Sequence, residues 1–172
     1  MQVSPPAKTV PEVMDLPEKV RLKKSTGKLQ IHTPGHGSYL SYIRSLVGDL
    51  ARKVGFPDEE VAKIEMAVDE ACSNVVEHAY KAKKEWRWNH RDPEIRLDVR
   101  AENGRLIIEI NDHGQRFDFA SYNPVNVEGR IKEMLPHGYG IFIMRKFMDE
   151  VQYSSSDAMG NTLRLVKYLK KS

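Results

Sequence analysis

Cysteine is nearly absent from this chain. Cys72 is the only one among 172 residues, so no disulfide forms within it, and its place on an apolar helix stripe marks it as a small buried hydrophobe. Long apolar runs are missing too. No stretch approaches the roughly 18 residues that a membrane span needs, and the opening "MQVSPPAKTVPEVMDLPEKVRLKK" has no apolar core of the kind that secretory signals carry. Charge of one sign is also scarce, with 27 Lys and Arg against 24 Asp and Glu leaving +3, too little to imply a nucleic-acid partner. These absences point to a cytoplasmic protein with no membrane or direct nucleic-acid contact. One local exception is "YKAKKEWRWNHRDP" (80–93), where both tryptophans lie among cations. Such a mixture can suit single-stranded nucleic acid, but the simpler reading, a solvated loop whose aromatics fold back onto the core, is the one preferred.

The length fits one domain with a real core, and no internal repeat is visible. Residues 1–27 are rich in Pro, Lys and Val without a sustained period, and read as a partly disordered extension or linker; residues 28–172 form the domain. "KLQIHT" (28–33) reads as the first strand. Leu40, Ile43, Val47, Leu50 and Val54 then recur at helical steps, in a helix from about Ser38 that Gly55 ends. A second helix opens at Pro57-Asp58, with acids in its first turn, and runs to about Tyr80. "EIRLDVR" (94–100) alternates, as does the start of "RLIIEIN" (105–111), and Ala-Glu-Asn-Gly joins them, a hairpin signal. Residues 119–137 have no period, a loop long enough to be functional or disordered. A helix from about Gly140 to Glu150 and two last strands around "DAMG" close the chain. Helices and antiparallel strands come in separate groups, so the fold class is α+β with helices on one face of the sheet.

Chemistry concentrates on the second helix. Ile64, Val68, Ala71, Cys72, Val75 and Ala79 make one apolar arc, and Glu70, Asn74 and His78 climb its flank at i, i+4, i+8, each about 40° from the last. A half-buried amide there needs partners. An interhelical hydrogen-bond network would supply them. So would a ligand site, because an Asn carbonyl is a hard oxygen donor for Mg²⁺ and a nearby carboxylate can take a proton in phosphoryl transfer. Two glycine boxes follow. "INDHGQRFD" (110–118) leaves a strand and turns at Asp112-His113-Gly114, where a carboxylate can accept a purine amino N–H and the glycine admits the base; a plain surface turn uses the same residues. "HGYGIFIM" (137–144) puts Gly138 and Gly140 at the start of a helix whose core face is Ile141, Met144 and Met148. Glycines there expose N–H groups to phosphate, or simply join loop to helix. The box is neither a Rossmann fingerprint nor a P-loop.

Taken together, these boxes resemble the histidine kinase-like (GHKL, Bergerat) ATPase superfamily, and most closely its bacterial anti-sigma-factor serine/threonine kinase branch. "DEACSNVVEHAY" is similar to that branch's N box, "NDHGQRFD" to its first glycine box, "GYGIFIMRKFMDEVQY" to its second, and "GNTLRLVKYL" to its closing Gly-x-Thr strand, in order across residues 28–169. The resemblance implies a two-layer α/β sandwich with a mixed, mainly antiparallel sheet, and ATP held between helices and sheet beneath a lid at 119–137. It implies Glu70 as general base and Asn74 as the Mg²⁺ ligand. Asp112 would bind the adenine amino group, helped by Gly114 and Thr162, with Gly138 and Gly140 on the phosphates. His78 would brace the site.

The implied activity is ATP-dependent phosphorylation of a serine or threonine on a STAS-domain antagonist, in a circuit where the protein also restrains a sigma factor or similar output protein, with a possible homodimer. The chain departs from the family pattern in three places. Arg116 stands where many members have a second glycine, Leu135-Pro136-His137 replaces a lid arginine near the γ-phosphate, and Asn161 replaces a frequent Thr beside Thr162. Arg130 and His137 are the candidates to supply the missing lid charge. The alternative is a non-catalytic ATP-binding module that sequesters its partner.

Overall fold

The computed structural model describes residues 21–25, 27–79, 94–116, 119 and 139–170. Six strands, β1 (Arg21–Ser25), β2 (Lys28–Pro34), β3 (Glu94–Glu102), β4 (Arg105–Asp112), β5 (Glu150–Ser156) and β6 (Gly160–Tyr168), form one sheet in the order β1-β2-β3-β4-β6-β5. Every pairing between them is antiparallel, so the mixed sheet that the resemblance implied is fully antiparallel among the described residues. Three helices, α1 (Leu40–Val54), α2 (Asp58–Asn74) and α3 (Tyr139–Phe147), pack on one face of it.

The sheet begins before the expected boundary at residue 28. β1 pairs with β2 from Arg21↔His32 to Ser25↔Lys28. "RLKKS" shows no apolar alternation because it is an edge strand, and lysines on an edge discourage pairing with other chains. The 1–27 extension is therefore corrected: its last residues belong to the domain, while residues 1–20 lie outside those described.

Alternation sets the layers. Leu29 and Ile31, then Ile95, Leu97 and Val99, Leu106, Ile108 and Ile110, and Leu163 and Leu165 are buried on the helix side. The registers align them in rows, such as Ile31–Leu97–Ile110–Leu163. On the far side, Arg100 forks onto Glu109 at 2.9 and 3.1 Å, and Arg164 lies 3.6 Å from the same carboxylate. The β3–β4 turn is Asn103-Gly104 with φ of 51° and 72°, the left-handed pair that a two-residue hairpin requires.

The helices end where chain chemistry dictates. Gly55 adopts φ 106° and its N–H meets Ala51 and Arg52 carbonyls, while Phe56 folds under as a buried contact. Pro57 is the N-cap of α2 and three acids fill the first turn, opposite the positive end of the helix dipole. Val61, Ile64 and Val68 are wholly buried, each worth about 1.5–3 kcal/mol. The α1–α2 crossing passes at Gly48, where a Cβ would meet the Glu65 carboxylate at 1.9 Å. The third helix stops at Phe147, before the expected Glu150, because Glu150 already belongs to β5.

Lys167, only 7% exposed on the inner face of β6, ties the layers together. Its Nζ lies 2.7 Å from Glu60 at the start of α2 and donates at 2.8 Å to the Phe147 carbonyl at the end of α3. Lys167 and Lys63 draw the Glu60 carboxyl from its ordinary 4.5 down to about 2. A depressed carboxylate stabilises the fold above its unfolded pKa and loses that contribution as pH falls toward its folded pKa. Thermal midpoints are expected to drop by several degrees between pH 4.5 and 2, and Glu60→Gln should lower the neutral-pH midpoint while flattening that slope.

Candidate functional site

The core rows turn polar at one end of the sheet. Continuing the β4 alternation past Leu106, Ile108 and Ile110 brings Asp112 to the helix side, and its register partner on β6 is Asn161. Both are buried, at 7% and 2% exposure. Asp112 Oδ1 accepts from the Gly114 N–H at 2.7 Å and from Asn161 Nδ2 at 2.9 Å. On the outer side of the same strands, Thr162 Oγ1 donates to Asn111 Oδ1 at 2.7 Å. Gly160 makes this approach possible. It has φ 77°, and a Cβ there would sit 2.4 Å from the Asp112 carbonyl oxygen and 2.6 Å from His113 Nδ1.

Across from this sheet end lies the ridge of α2. Immediately after Asn74 the backbone widens into a π turn, Val75–Ala79, a form often found at functional sites. The periodicity of the sequence does not reveal it. His78 lies in this turn, and its side chain is outside the described residues.

The first turn of α3 lies directly on Glu70 and Asn74. A Cβ added to Gly140 would come within 2.9 Å of Glu70 Oε2, 3.0 Å of Asn74 Nδ2 and 3.4 Å of Asn74 Oδ1. Only glycine lets the helix start sit this close. Burial, and then the neighbouring Asp69 and Glu77 carboxylates, raise the Glu70 carboxyl above its usual range.

Between ridge and sheet end runs a cleft of about 440 Å³, counting the solvent at its mouth. Val75, Ile141, Met144 and Leu163 make it apolar, and Asn74, Asp112 and Asn161 supply its polar groups. Phe119 and Tyr153 stack at 5.8 Å between centroids on one wall, with the Arg145 guanidinium 5.0 Å above Phe119. An apolar cleft with a buried carboxylate at one end and Ile141 and Met144 of α3 on its wall suits a heteroaromatic ring that presents a hydrogen-bond donor.

Of the expected site residues, Asn74 and Asp112 line the cleft, Gly114 bonds to Asp112, and Glu70 and Gly140 meet beside Asn74. Thr162 bonds to Asn111 beside the cleft rather than to Asp112. Gly138, Arg130, His137, the basic loop 80–93 and all but Phe119 of the span 119–137 expected as a lid lie outside the described residues. Sequence reasoning treated Asn161 as a minor departure and overlooked the aromatic wall. The period-2 alternation of β6 carried the signal for Asn161, since it puts position 161 on the same face as Leu163 and Leu165.

A carboxylate with a raised folded pKa costs the fold stability once pH passes its unfolded value. Glu70→Gln is therefore expected to raise the thermal midpoint at pH 7 by about 1–3 °C and to leave it unchanged at pH 4. Melting curves at the two pH values check the sign.

Comparison with known proteins shows what the whole chain is similar to. Residues 34–167 match the family described as the histidine kinase-like ATPase domain. The serine-protein kinase RsbW of Bacillus pumilus (strain SAFR-032) is 27% identical over 154 residues, which span 87% of this chain and 91% of that protein. The RsbW serine-protein kinase of Bacillus cereus (strain AH820) is 26% identical over 148 residues, 84% of this chain and 86% of that protein. Among solved structures, that of the RsbU and RsbW domains of Rv1364c from Mycobacterium tuberculosis superposes with a TM-score of 0.56 at 16% identity, a likeness of fold. The match covers 83% of this chain and 33% of that longer one.

Proposed function

Because the chain belongs to the histidine kinase-like ATPase family, we propose that it is an ATP- and Mg²⁺-dependent protein serine/threonine kinase that acts as an anti-sigma factor in a partner-switching circuit. Its substrate is a serine or threonine on a STAS-type antagonist, and it restrains a sigma factor or analogous output protein. The observation that supports this reading is the seat of Gly140 on Glu70 and Asn74, which brings together the residues proposed here for phosphate, base and metal ligand. The kinase names of the Bacillus relatives support the same activity.

The donor set fits Mg²⁺. Asn74, on the wall of the cleft, offers one hard carbonyl oxygen, a donor that Mg²⁺ takes together with phosphate oxygens and water. When bound, the ion neutralises charge on the phosphates.

The chain's own residues do the rest. Asp112 accepts the adenine amino N–H, with Gly114 admitting the ring edge, and the apolar walls hold the base. Thr162 lies one residue from this pair and keeps Asn111 in place. Backbone N–H groups at the start of α3, with Gly138 and Gly140, hold the phosphates. Glu70, one turn from Asn74, takes the proton of the incoming hydroxyl as its oxygen bonds to the γ-phosphorus and the bond to the β–γ bridging oxygen breaks, releasing ADP. A carboxyl held above its usual range accepts that proton more readily than an exposed one.

Phosphotransfer to the cognate antagonist is the direct test. Glu70→Ala is expected to slow transfer by about 10²–10⁴ and to leave ATP affinity within about threefold. Asn74→Ala should remove the Mg²⁺-dependent part of ATP binding, and Gly140→Ala should weaken ATP binding by pushing α3 off the ridge. Normal transfer by Glu70→Ala would overturn the general-base role. ATP binding by the wild type without any transfer would leave the sequestering module, which the Leu135-Pro136-His137 departure favours.

A further inference from the structure

Asn161 sits at the centre of the polar end of the cleft, and its amide nitrogen faces three oxygens. Nδ2 lies 2.9 Å from Asp112 Oδ1, 3.2 Å from the Gly114 carbonyl and 3.3 Å from the Gln115 carbonyl. Three acceptors around one end of an amide leave no doubt which end carries the hydrogens, because the reversed amide would bring oxygen against oxygen. The side chain is 2% exposed, so these bonds form where water does not compete and their loss is costly.

The consequence for Asp112 is geometric. Its Oδ1 is held from two directions, by the Gly114 N–H and by Asn161. That blocks rotation of the carboxylate and leaves Oδ2 as the oxygen available to an incoming donor. The same amide also fastens the backbone at Gly114 and Gln115, the turn beside which the base edge would enter. Gly160 belongs to the arrangement, since any side chain there would strike the Asp112 carbonyl and push Asn161 out of reach.

We propose that Asn161 is a specificity-determining positioning residue, an amide clamp that locks Asp112 and the Gly114–Gln115 turn into one rigid acceptor for the exocyclic amino group of adenine. The proposal rests on the nucleotide-binding reading of the cleft. Asn161 does not touch the base. It fixes the group that does, so that the carboxylate is pre-ordered before the ligand arrives. A threonine at this position would have one hydroxyl donor and a shorter reach, and could not tie the carboxylate and both turn carbonyls together.

Equilibrium binding separates the clamp from a merely structural role. The probes are ADP and purine riboside diphosphate, the same nucleotide without its 6-amino group. Wild type is expected to prefer ADP by about 10- to 100-fold, the worth of one hydrogen bond to a charged acceptor. In Asn161→Ala, verified as folded by its melting curve, that preference should collapse to within about threefold of unity. Affinity for the amino-free analogue should stay within about threefold of wild type. Asn161→Ser, which keeps one donor on the strand, carries the same comparison if the alanine variant does not fold, and should show an intermediate ratio. A retained ADP preference in the folded variant overturns the clamp, and so does an equal loss for both ligands, which would mark Asn161 as structural. Failure of wild type to bind either nucleotide would instead overturn the reading of the cleft beneath it.

Discussion

The seat of α3 on α2 sets the dimensions of everything around it. Gly140 approaches Glu70 and Asn74 to a distance that a single methyl group would forbid, so the separation of the two helices is fixed by a missing side chain rather than by apolar packing. Ile141 and Met144 follow at once and anchor the helix to the core. At its other end, Lys167 holds the last carbonyl of α3 and the first turn of α2 together. The helix is thus fixed at its start by close approach at Gly140, along its middle by apolar packing, and at its end by the Lys167 hydrogen bond. A shift large enough to spoil the Glu70–Asn74 geometry would have to break one of them.

Polar groups enter this core only at its margins. The central rows of the sheet are apolar, with Lys167 and Thr33 at their ends and the pair Asp112 and Asn161 where β4 and β6 reach the cleft. There the carboxylate is satisfied by an amide and a backbone N–H rather than by a cation. A charged partner would hold the carboxylate too strongly to yield it to a ligand, whereas neutral donors on one oxygen leave the other in service. Glu70 shows the opposite economy. Its carboxyl is raised by burial and by two acidic neighbours, a local cost that the rest of the fold absorbs. Sites of chemistry are where such costs collect.

Much of this was legible in the residues. Alternation in β3, and in β4 from Ile108 on, marked their inner faces, and Asn103-Gly104 marked the hairpin, because two-residue turns demand left-handed backbone. The i, i+4 spacing of Glu70 and Asn74 put both on one ridge, whereas the glycine before Ile141 read as a phosphate contact or a joint and its close approach to that ridge emerged only in the fold. What was hidden depended on partners distant in sequence. β1 is a strand only because β2 offers it an edge. The π turn after Asn74 and the glycine crossing at Gly48 depend on packing that no local period encodes. Asn161 looked like a small departure because its worth lies in Asp112, Gly114 and Gln115, three positions nearly fifty residues away in the chain.

That last case shows how a substitution beside a motif can matter more than the motif letter itself. The Gly-x-Thr signature draws attention to Thr162, yet Thr162 faces the outer side of the sheet and bonds to Asn111. Period-2 geometry makes neighbours on a strand face opposite ways, so the residue on the site side is the one between the two motif positions. Gly160 and Asn161 then act as a pair. The glycine lets β6 come within contact of the Asp112 backbone, and the amide uses that closeness to reach three acceptors. Neither would serve without the other, since an asparagine held one methyl further out would miss the Gly114 and Gln115 carbonyls, whose bonds at 3.2 and 3.3 Å already stand at the long end of the range.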